Sequence, residues 1–172
     1  MAMSLDGFVS GPGGGDGGLH DWYFAPSDSD TQIMDELFQN IGAMIIGRNV
    51  LGDAADGFET PYKVPHFVLT HTARPAVTNA GVPFTFVTGG VEELVQQAQA
   101  AAGEKIVCVA GGASTAQQLL AAGLIDELHL HVVSMLLGDG LRLFDQGAPT
   151  KLERISVIES PQVTHLRFQV QK

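Results

Sequence analysis

Short apolar runs typical of β-strands alternate with amphipathic helical patterns through the middle of the chain. Apolar residues recur at helical spacing from Val91 to Ala102, and Gly103 stands at the usual stop position of a helix. The run "KIVCV" follows as a strand, and "VAGGASTAQQLL" (109–120) leads from that strand into another helix. The longer strand pattern "DELHLHVV" comes next. This alternation predicts an α/β protein, in which helices cover a largely parallel sheet.

The two ends of the chain extend this pattern. A helix is predicted after a cap at Ser27 or Ser29, with Ile33, Met34, Leu37, Phe38 and Ile41 on its apolar face. The runs "AMIIG", "HFVLT" and "FTFVT" are short strand patterns, and "RNVLGDA" is predicted to begin a further helix. Near the C-terminus, "KLERISVIES" and "VTHLRFQV" predict an antiparallel pair at a sheet edge.

The predicted architecture is a three-layer α/β fold. A mixed, mostly parallel sheet of about eight strands carries helices on both faces and ends in the C-terminal antiparallel pair. Residues 1–172 are expected to form one domain, because this length suits a single core. With 45% hydrophobic and 16% charged residues, the chain lacks the composition of a disordered protein.

Charge and cysteine content exclude several classes of partner. The net charge of −10 opposes binding to nucleic acid or to an anionic membrane surface. The one cysteine, Cys108, excludes an internal disulfide and a multi-cysteine metal site. A reducing, cytoplasmic location is the expectation, because no secretion signal and no apolar run long enough to span a bilayer are visible.

Two strand-to-helix turns are candidate phosphate sites. The first is Gly47-Arg48-Asn49, and the second runs from Gly111 and Gly112 through Ala113, Ser114 and Thr115. A helix start offers unpaired backbone amides to a phosphate, and an arginine can pair with a second phosphate. Glycines also allow helices to pack closely on sheets, and from these residues alone that interpretation is at least as strong.

Other polar residues near predicted strand ends are weaker candidates. Thr70 and His71 end the strand "HFVLT", where a hydroxyl suits either a nucleotide or solvent. The glycine-rich loop from Ser10 to Trp22 is predicted to be mobile. Closure over a ligand, with Trp22 and Phe24 excluding water, is a further interpretation, although such loops are more often merely mobile. Four carboxylates flank this loop and are candidates to orient a heterocycle, namely Asp6, Asp21, Asp28 and Asp30.

Two histidines share one face of a predicted strand. His129 and His131 lie two residues apart, a spacing that permits metal binding, but no third ligand is visible nearby. We therefore predict no metal site and interpret this strand face as buried between subunits. Cys108 is interpreted as a small buried hydrophobe.

The order of four motifs resembles the dihydrofolate reductase-like superfamily, in the branch related to the riboflavin biosynthesis reductase domain. The motifs are "SLDGFVSGP" (4–12), "IIGRNV" (45–50), "VPHFVLTH" (64–71) and "VAGGASTAQQLLAAGLIDELHLH" continuing to "LLGDGLRLFD". The resemblance extends over nearly the whole chain. Two departures stand beside it: Ala110 replaces a glutamate that usually precedes the paired glycines, and "LGDAADGFETPY" lacks an Asp-Asn/Asp-Pro segment. Both argue against the ribosylaminopyrimidine substrate of that branch.

The resemblance implies a cofactor and a set of site residues. NADPH is the expected cofactor, bound by Gly47, Arg48, Asn49, Thr70, His71, Gly111, Gly112, Ala113, Ser114 and Thr115. The early segment implies that Asp6 and Gly7 lie near the nicotinamide and the substrate. Asp30 is the nearest match to the acid that orients the pterin in dihydrofolate reductases, so Asp6 and Asp30 are the catalytic candidates, and Trp22 joins Gly7 on the substrate side.

The predicted function is an NADPH-dependent reductase that transfers hydride to a small conjugated heterocycle, such as a pteridine, a pyrimidine or a flavin-related compound. Two alternatives stay open: a non-catalytic ligand-binding protein on the same fold, and a true dihydrofolate reductase. Family members commonly form dimers, so a homodimer is expected, with the strand from Leu128 to Val133 at its interface.

Overall fold

The computed structural model describes residues 1–52, 54, 56–145 and 147–172. Its helices are α1 (Asp21–Phe24), α2 (Asp28–Asn40), α3 (Val91–Ala102) and α4 (Ala113–Ala121). Its strands are β1 (Ala2–Ser4), β2 (Phe8–Ser10), β3 (Ile41–Gly47), β4 (His66–Leu69), β5 (Val77–Asn79), β6 (Val82–Val87), β7 (Ile106–Gly111), β8 (Glu127–Val133), β9 (Leu141–Arg142), β10 (Leu152–Glu159) and β11 (Val163–Val170). The chain divides into two compact units, Met1–Asp35 with Leu119–Lys172, and Glu36–Gln118.

The unit Glu36–Gln118 contains a five-stranded sheet in the order β5-β6-β4-β3-β7. Strands β6, β4, β3 and β7 run parallel to one another, and β5 pairs antiparallel with β6. Helix α3 lies against β3, β4 and β7. The central strand β3 is buried along nearly its whole length, as its unbroken apolar sequence predicts. An apolar cluster forms the core of this unit, made of Ile46, Leu51, Val68, Val82 and Phe84.

The unit Met1–Asp35 with Leu119–Lys172 contains a four-stranded sheet in the order β1-β8-β11-β10. Strand β1 is parallel to β8, whereas β8, β11 and β10 are antiparallel neighbours. Strands β2 and β9 form a separate antiparallel ribbon. The core of this unit is an apolar cluster of Ala2, Leu19, Trp22, Val133 and Val163.

Local sequence signals place most helix ends correctly. Helix α2 begins with a reciprocal cap, in which the amide of Ser27 donates to a carboxylate oxygen of Asp30 at 2.8 Å, while the Asp30 amide donates to Ser27 Oγ at 3.4 Å. Helix α3 ends at Gly103, whose φ of +62° suits glycine. Both ends were predicted from residue type alone.

Three details of the predicted fold are wrong. Ile41 is the first residue of β3 and does not belong to the helix before it, because the chain passes directly from α2 into the strand. The segment after Gly47 forms only a single 3-10 turn, Arg48–Leu51, which ends at Gly52. Among the described residues the strands lie in sheets of four, five and two strands, and not in one sheet of about eight.

The α/β class and the C-terminal antiparallel pair are confirmed. One domain over residues 1–172 stays a prediction. None of the helices in the described ranges combines the length and the hydrophobicity needed to cross a lipid bilayer.

Candidate functional site

The predicted cofactor-binding residues lie at one edge of the five-stranded sheet. Strands β4, β3 and β7 are parallel neighbours, so their carboxyl ends meet at the same edge. Thr70 and His71 follow β4, the Gly47-Arg48 turn ends β3, and Gly111 and Gly112 end β7. In open α/β sheets, ligands bind outside this end of the strands. The structure therefore brings the two glycine turns and Thr70 together, as the sequence predicts.

Gly47 and Gly112 are in direct backbone contact. A Cβ atom placed on Gly112 would lie 3.3 Å from Cα of Gly47, and one placed on Gly47 would lie 2.6 Å from Oγ1 of Thr115. Gly112 also has a φ of +83°, which disfavours other residues. The glycines therefore serve close packing, and this packing sets the start of α4 directly beside the Gly47-Arg48 turn.

The start of α4 supplies the hydrogen-bond donors of this edge. The amide of Ala116 donates to the carbonyl oxygen of Gly112 at 3.1 Å, which begins the helical bonding. The amides at the start of a helix have no intrahelical acceptor and carry a partial positive charge. Ser114 is exposed at this start, whereas Thr115 is buried. Arg48 and Asn49 are exposed after β3. This donor set fits the phosphates of a dinucleotide.

Thr70 is buried at the end of β4. Its amide donates to the carbonyl oxygen of Val87 at 3.1 Å, and its Oγ1 accepts a hydrogen bond from the Thr72 amide at 3.2 Å. The hydroxyl thus stabilises the turn after the strand. His71 is exposed in that turn and is the more accessible member of the predicted pair.

Asp6, in the other unit, holds a turn through three hydrogen bonds. It accepts from Oγ of Ser4 at 2.6 Å, from the Leu137 amide at 3.2 Å and from the Gly138 amide at 2.7 Å. The hydrogen bond from Ser4, followed by those from the two amides, outweighs partial desolvation and lowers the pKa of Asp6 to about 2. Gly7, beside it, has a φ of +91°. At neutral pH this carboxylate is ionised, so it is not arranged as a proton donor.

Asp30 also has both carboxylate oxygens engaged. One accepts from the amide and hydroxyl of Ser27, at 2.8 and 2.7 Å, and the other lies 2.7 Å from Nε2 of His165. Burial acts to raise the pKa of Asp30, but the hydrogen bonds from Ser27 and then from His165 hold it at about 2. The predicted catalytic acid is therefore an ionised, buried structural group.

His165 continues this network to His131. The Nδ1 atoms of the two rings lie 2.8 Å apart, and both residues are buried. Trp22 packs against them, with ring centroids 5.1 Å from His131 and 5.3 Å from His165. Trp22 is thus a core residue of this unit, whereas Phe24 is exposed.

The sequence did not single out His165. The signal that reveals it is the register of β8 and β11, which places His165 directly opposite His131. The His131 ring is enclosed by Trp22 and His165 of its own unit, and the expected subunit interface at this strand stays a prediction. His129 lies 3.0 Å from Glu127 and is partly exposed. Among the described residues, no group of three or more His, Cys, Asp and Glu side chains is placed to hold a metal ion.

Comparison with known proteins identifies related sequences and folds. The family model for the RibD C-terminal domain matches residues 1–166. No curated protein matches the chain in a sequence search. A solved structure from a Shewanella species, of a protein provisionally assigned to riboflavin biosynthesis, has 25% identity and a TM-score of 0.77, with 100% of this chain and 97% of that chain covered.

Two further solved structures share the fold at lower identity. The first is a diaminohydroxyphosphoribosylaminopyrimidine deaminase/5-amino-6-(5-phosphoribosylamino)uracil reductase from Thermotoga maritima, at 15% identity and a TM-score of 0.67, with 98% of this chain and 54% of that chain covered. The second is dihydrofolate reductase from Enterococcus faecalis complexed with NADP(H), at 14% identity and a TM-score of 0.64, with coverage of 99% and 93%. The family match confirms the predicted resemblance to the riboflavin branch, and the solved structures confirm the predicted fold.

Proposed function

The chain belongs to the RibD C-terminal domain family, and we propose that it is an NADPH-dependent reductase that transfers hydride to a small conjugated heterocycle, such as a pteridine, a pyrimidine or a flavin-related compound. The observation that carries the proposal is the contact between Gly47 and Gly112. It sets the first amides of α4 beside Arg48 at the carboxyl edge of a parallel sheet.

Each part of this edge suits one part of the cofactor. The amides at the start of α4 and the exposed hydroxyl of Ser114 are donors for the pyrophosphate. The exposed guanidinium of Arg48 is suited to the 2′-phosphate that distinguishes NADPH from NADH. His71 would lie on the adenosine side. NADPH supplies the hydride when bound, and the protein contributes binding, orientation and exclusion of water.

The related proteins support this choice of reaction. The Thermotoga protein is a 5-amino-6-(5-phosphoribosylamino)uracil reductase as well as a deaminase, and the Enterococcus structure contains NADP(H). Ala110, which lies in β7 directly before the two glycines, replaces the glutamate expected in the riboflavin branch. The substrate we propose is therefore a related heterocycle and not the ribosylaminopyrimidine itself.

The proton that accompanies hydride transfer comes from solvent in this proposal. Asp6 and Asp30 were the predicted donors, but both carboxylates have a pKa of about 2 and accept hydrogen bonds through both oxygens. An ionised carboxylate with no proton to give cannot act as a general acid. We assign no carboxyl side chain to that role.

A fluorescence titration with NADPH and NADH tests the cofactor assignment. Arg48→Ala should weaken NADPH binding by about tenfold or more and leave NADH binding unchanged, because only NADPH carries the 2′-phosphate. Lys63→Ala is the matched control, since Lys63 is exposed at the opposite end of the same sheet, before β4. Absence of NADPH binding at millimolar concentration would reject the proposal.

A non-catalytic binding protein is the second candidate, and the engaged state of both carboxylates is the observation that favours it. It predicts NADPH binding without cofactor oxidation when pterins, pyrimidines, flavins and quinones are supplied in turn. The reductase predicts oxidation with at least one of them. Methotrexate affinity tests the remaining alternative, a true dihydrofolate reductase.

A further inference from the structure

Strand β10 is an exposed edge of the four-stranded sheet. Within the described part of the chain it pairs only with β11, and seven of its eight residues are exposed. Four large apolar side chains on it are between 39% and 45% exposed, namely Leu152, Ile155, Val157 and Ile158. A long, apolar, unpaired edge is a site for adding another strand unless it is covered.

The hydrogen-bond register shows which backbone groups of β10 point away from β11. The Gln171 amide donates to the Lys151 carbonyl oxygen, and the Ser160 amide donates to the Val163 carbonyl oxygen. Lys151 and Ser160 therefore face β11. The backbone groups of successive residues point alternately towards β11 and away from it, and the register shift between Arg154 and Ser156 interrupts this alternation once. Four residues are left with amide and carbonyl groups that face outward. They are Leu152, Arg154, Val157 and Glu159.

We propose that β10 pairs with β10 of a second copy of the chain, antiparallel and around a twofold axis at Val157. In this register Val157 lies opposite its own symmetry mate. Arg154 then lies opposite Glu159 of the second copy, and Glu159 opposite its Arg154. All of these pairs join outward-facing backbone groups. Ile155 is the extra residue of the bulge and takes no position in the pairing, so Arg154 and Glu159 are equally far from Val157 along the strand and meet across the axis.

Charge complementarity favours this partner over an unrelated strand. Arg154 and Glu159 form no ion pair within the described ranges of their own chain. The proposed register repeats the Arg154–Glu159 pair twice across the axis, and opposite charges directly across an antiparallel pair are stabilising. Shifting the strands so that Glu153 faces Glu159 would instead place like charges together.

A row of apolar side chains on one face of the sheet continues across the proposed junction. Val157 is paired with Leu166 of β11, which is paired with Leu130 of β8. Paired residues share one face of a sheet, so these three side chains form a row that ends at Val157. The twofold axis would join two such rows, and the two four-stranded sheets would become one sheet of eight strands.

This interface differs from the one predicted from sequence. Strand β8 lies between β11, which pairs along its whole length, and β1, which pairs with its last three residues, so its free edge is shorter than that of β10 in the described residues. The interface on β10 does not depend on the proposed reductase activity, because all its residues lie in the four-stranded sheet.

Light scattering on the purified chain, combined with a charge swap, tests the proposal. The wild type should have twice the mass of the 18.2 kDa chain. Arg154→Glu and Glu159→Arg should each shift the protein to monomer, because each creates two like-charge pairs. The double variant should recover the dimer. Lys63→Glu, the same kind of charge reversal on an exposed residue of the other unit, should stay dimeric.

Hydrogen exchange locates the contact independently of any variant. The amides of Arg154, Val157 and Glu159 should become protected as protein concentration rises, whereas the Glu153 and Ile158 amides, which face β11, should not change. A wild-type monomer would overturn the proposal. So would a dimer in which the two single variants remain dimeric, or in which protection appears elsewhere.

Discussion

The Asp30 carboxylate lies 2.7 Å from Nε2 of His165, and their side chains are only 4% and 6% exposed. On its other side, His165 shares a hydrogen bond with His131 through the two Nδ1 atoms. A hydrogen bond between two imidazole nitrogens needs one protonated and one bare nitrogen. The chain of three residues therefore joins the start of α2 to β11 and β8, and it tolerates only certain protonation states.

Removing the charge of Asp30 should destabilise the protein. Asp30→Asn replaces one accepting oxygen with an NH₂ group, which cannot accept from Ser27 or His165. We expect a loss of about 2 kcal/mol in the free energy of unfolding, measured by urea denaturation at neutral pH. Asp28→Asn is the control, because Asp28 is exposed in the same helical turn. Equal effects of the two variants would show that only the helix dipole is involved.

Acidification should reduce stability in two steps. Burial, together with nearby positive groups, holds the pKa of His131 well below its usual 6.5. The unfolded chain therefore binds more protons below pH 6.5, and stability should fall from there. Asp30 accounts for the second step. Folding lowers its pKa from 3.8 to about 2, so its contribution to stability is present above pH 3.8 and is lost towards pH 2.

His131→Asn separates the two steps. Asparagine keeps a donor near the position of Nδ1 but does not titrate. The melting temperature of this variant should fall less than that of the wild type between pH 7.5 and 5.5, a window about one unit on either side of the usual histidine pKa, while the drop below pH 3.8 should remain. His129→Asn is the control, because His129 is partly exposed beside Glu127. If the melting temperature of His131→Asn falls between pH 7.5 and 5.5 as much as that of the wild type, the loss of stability belongs to other histidines. Buried His66 is then the first to examine.

Local rules were enough for the features that depend on a few adjacent residues. The cap at Ser27, the stop at Gly103 and the two glycine turns follow from residue type and short spacing. The Asp30–His165 contact joins residues 135 positions apart, and no periodicity specifies that pairing. The sequence predicts the C-terminal strand pair at a sheet edge, but which of the two strands is outermost depends on strand order, which the pattern leaves open. For the same reason, the sequence suggested that Asp6 and Asp30 were available as proton donors, whereas both accept hydrogen bonds from residues far away in the chain.

The close approach of the two glycine turns should be essential for cofactor binding. Gly112→Ala would bring a methyl group to 3.3 Å from Cα of Gly47, and it would also strain a φ of +83°. We expect NADPH affinity, measured by fluorescence titration, to fall by about tenfold or more, since a shift of the turns moves the helix start.

Gly123→Ala controls for the backbone strain. Gly123 has a φ of +68°, and a Cβ atom there meets nothing within 4 Å. Both variants should lose about 1 kcal/mol of stability from the positive φ alone. Only Gly112→Ala should lose affinity for NADPH. Similar affinities in the two variants would contradict the assignment of this edge as the phosphate site.

Asp6 should act by holding the turn at Leu137 and Gly138, and not by supplying a proton. Its pKa of about 2 leaves no titration near neutral pH, so the acid side of a pH–rate profile should not report this group. Once a substrate is found, Asp6→Asn should raise KM, because two backbone amides lose a charged acceptor. NADPH affinity and the shape of the pH profile should remain those of the wild type.

Ser4→Ala, which removes the 2.6 Å hydrogen bond to Asp6 but keeps the carboxylate, should have a smaller effect of the same kind. Loss of the acid limb in Asp6→Asn, with KM unchanged, would instead identify Asp6 as the proton donor.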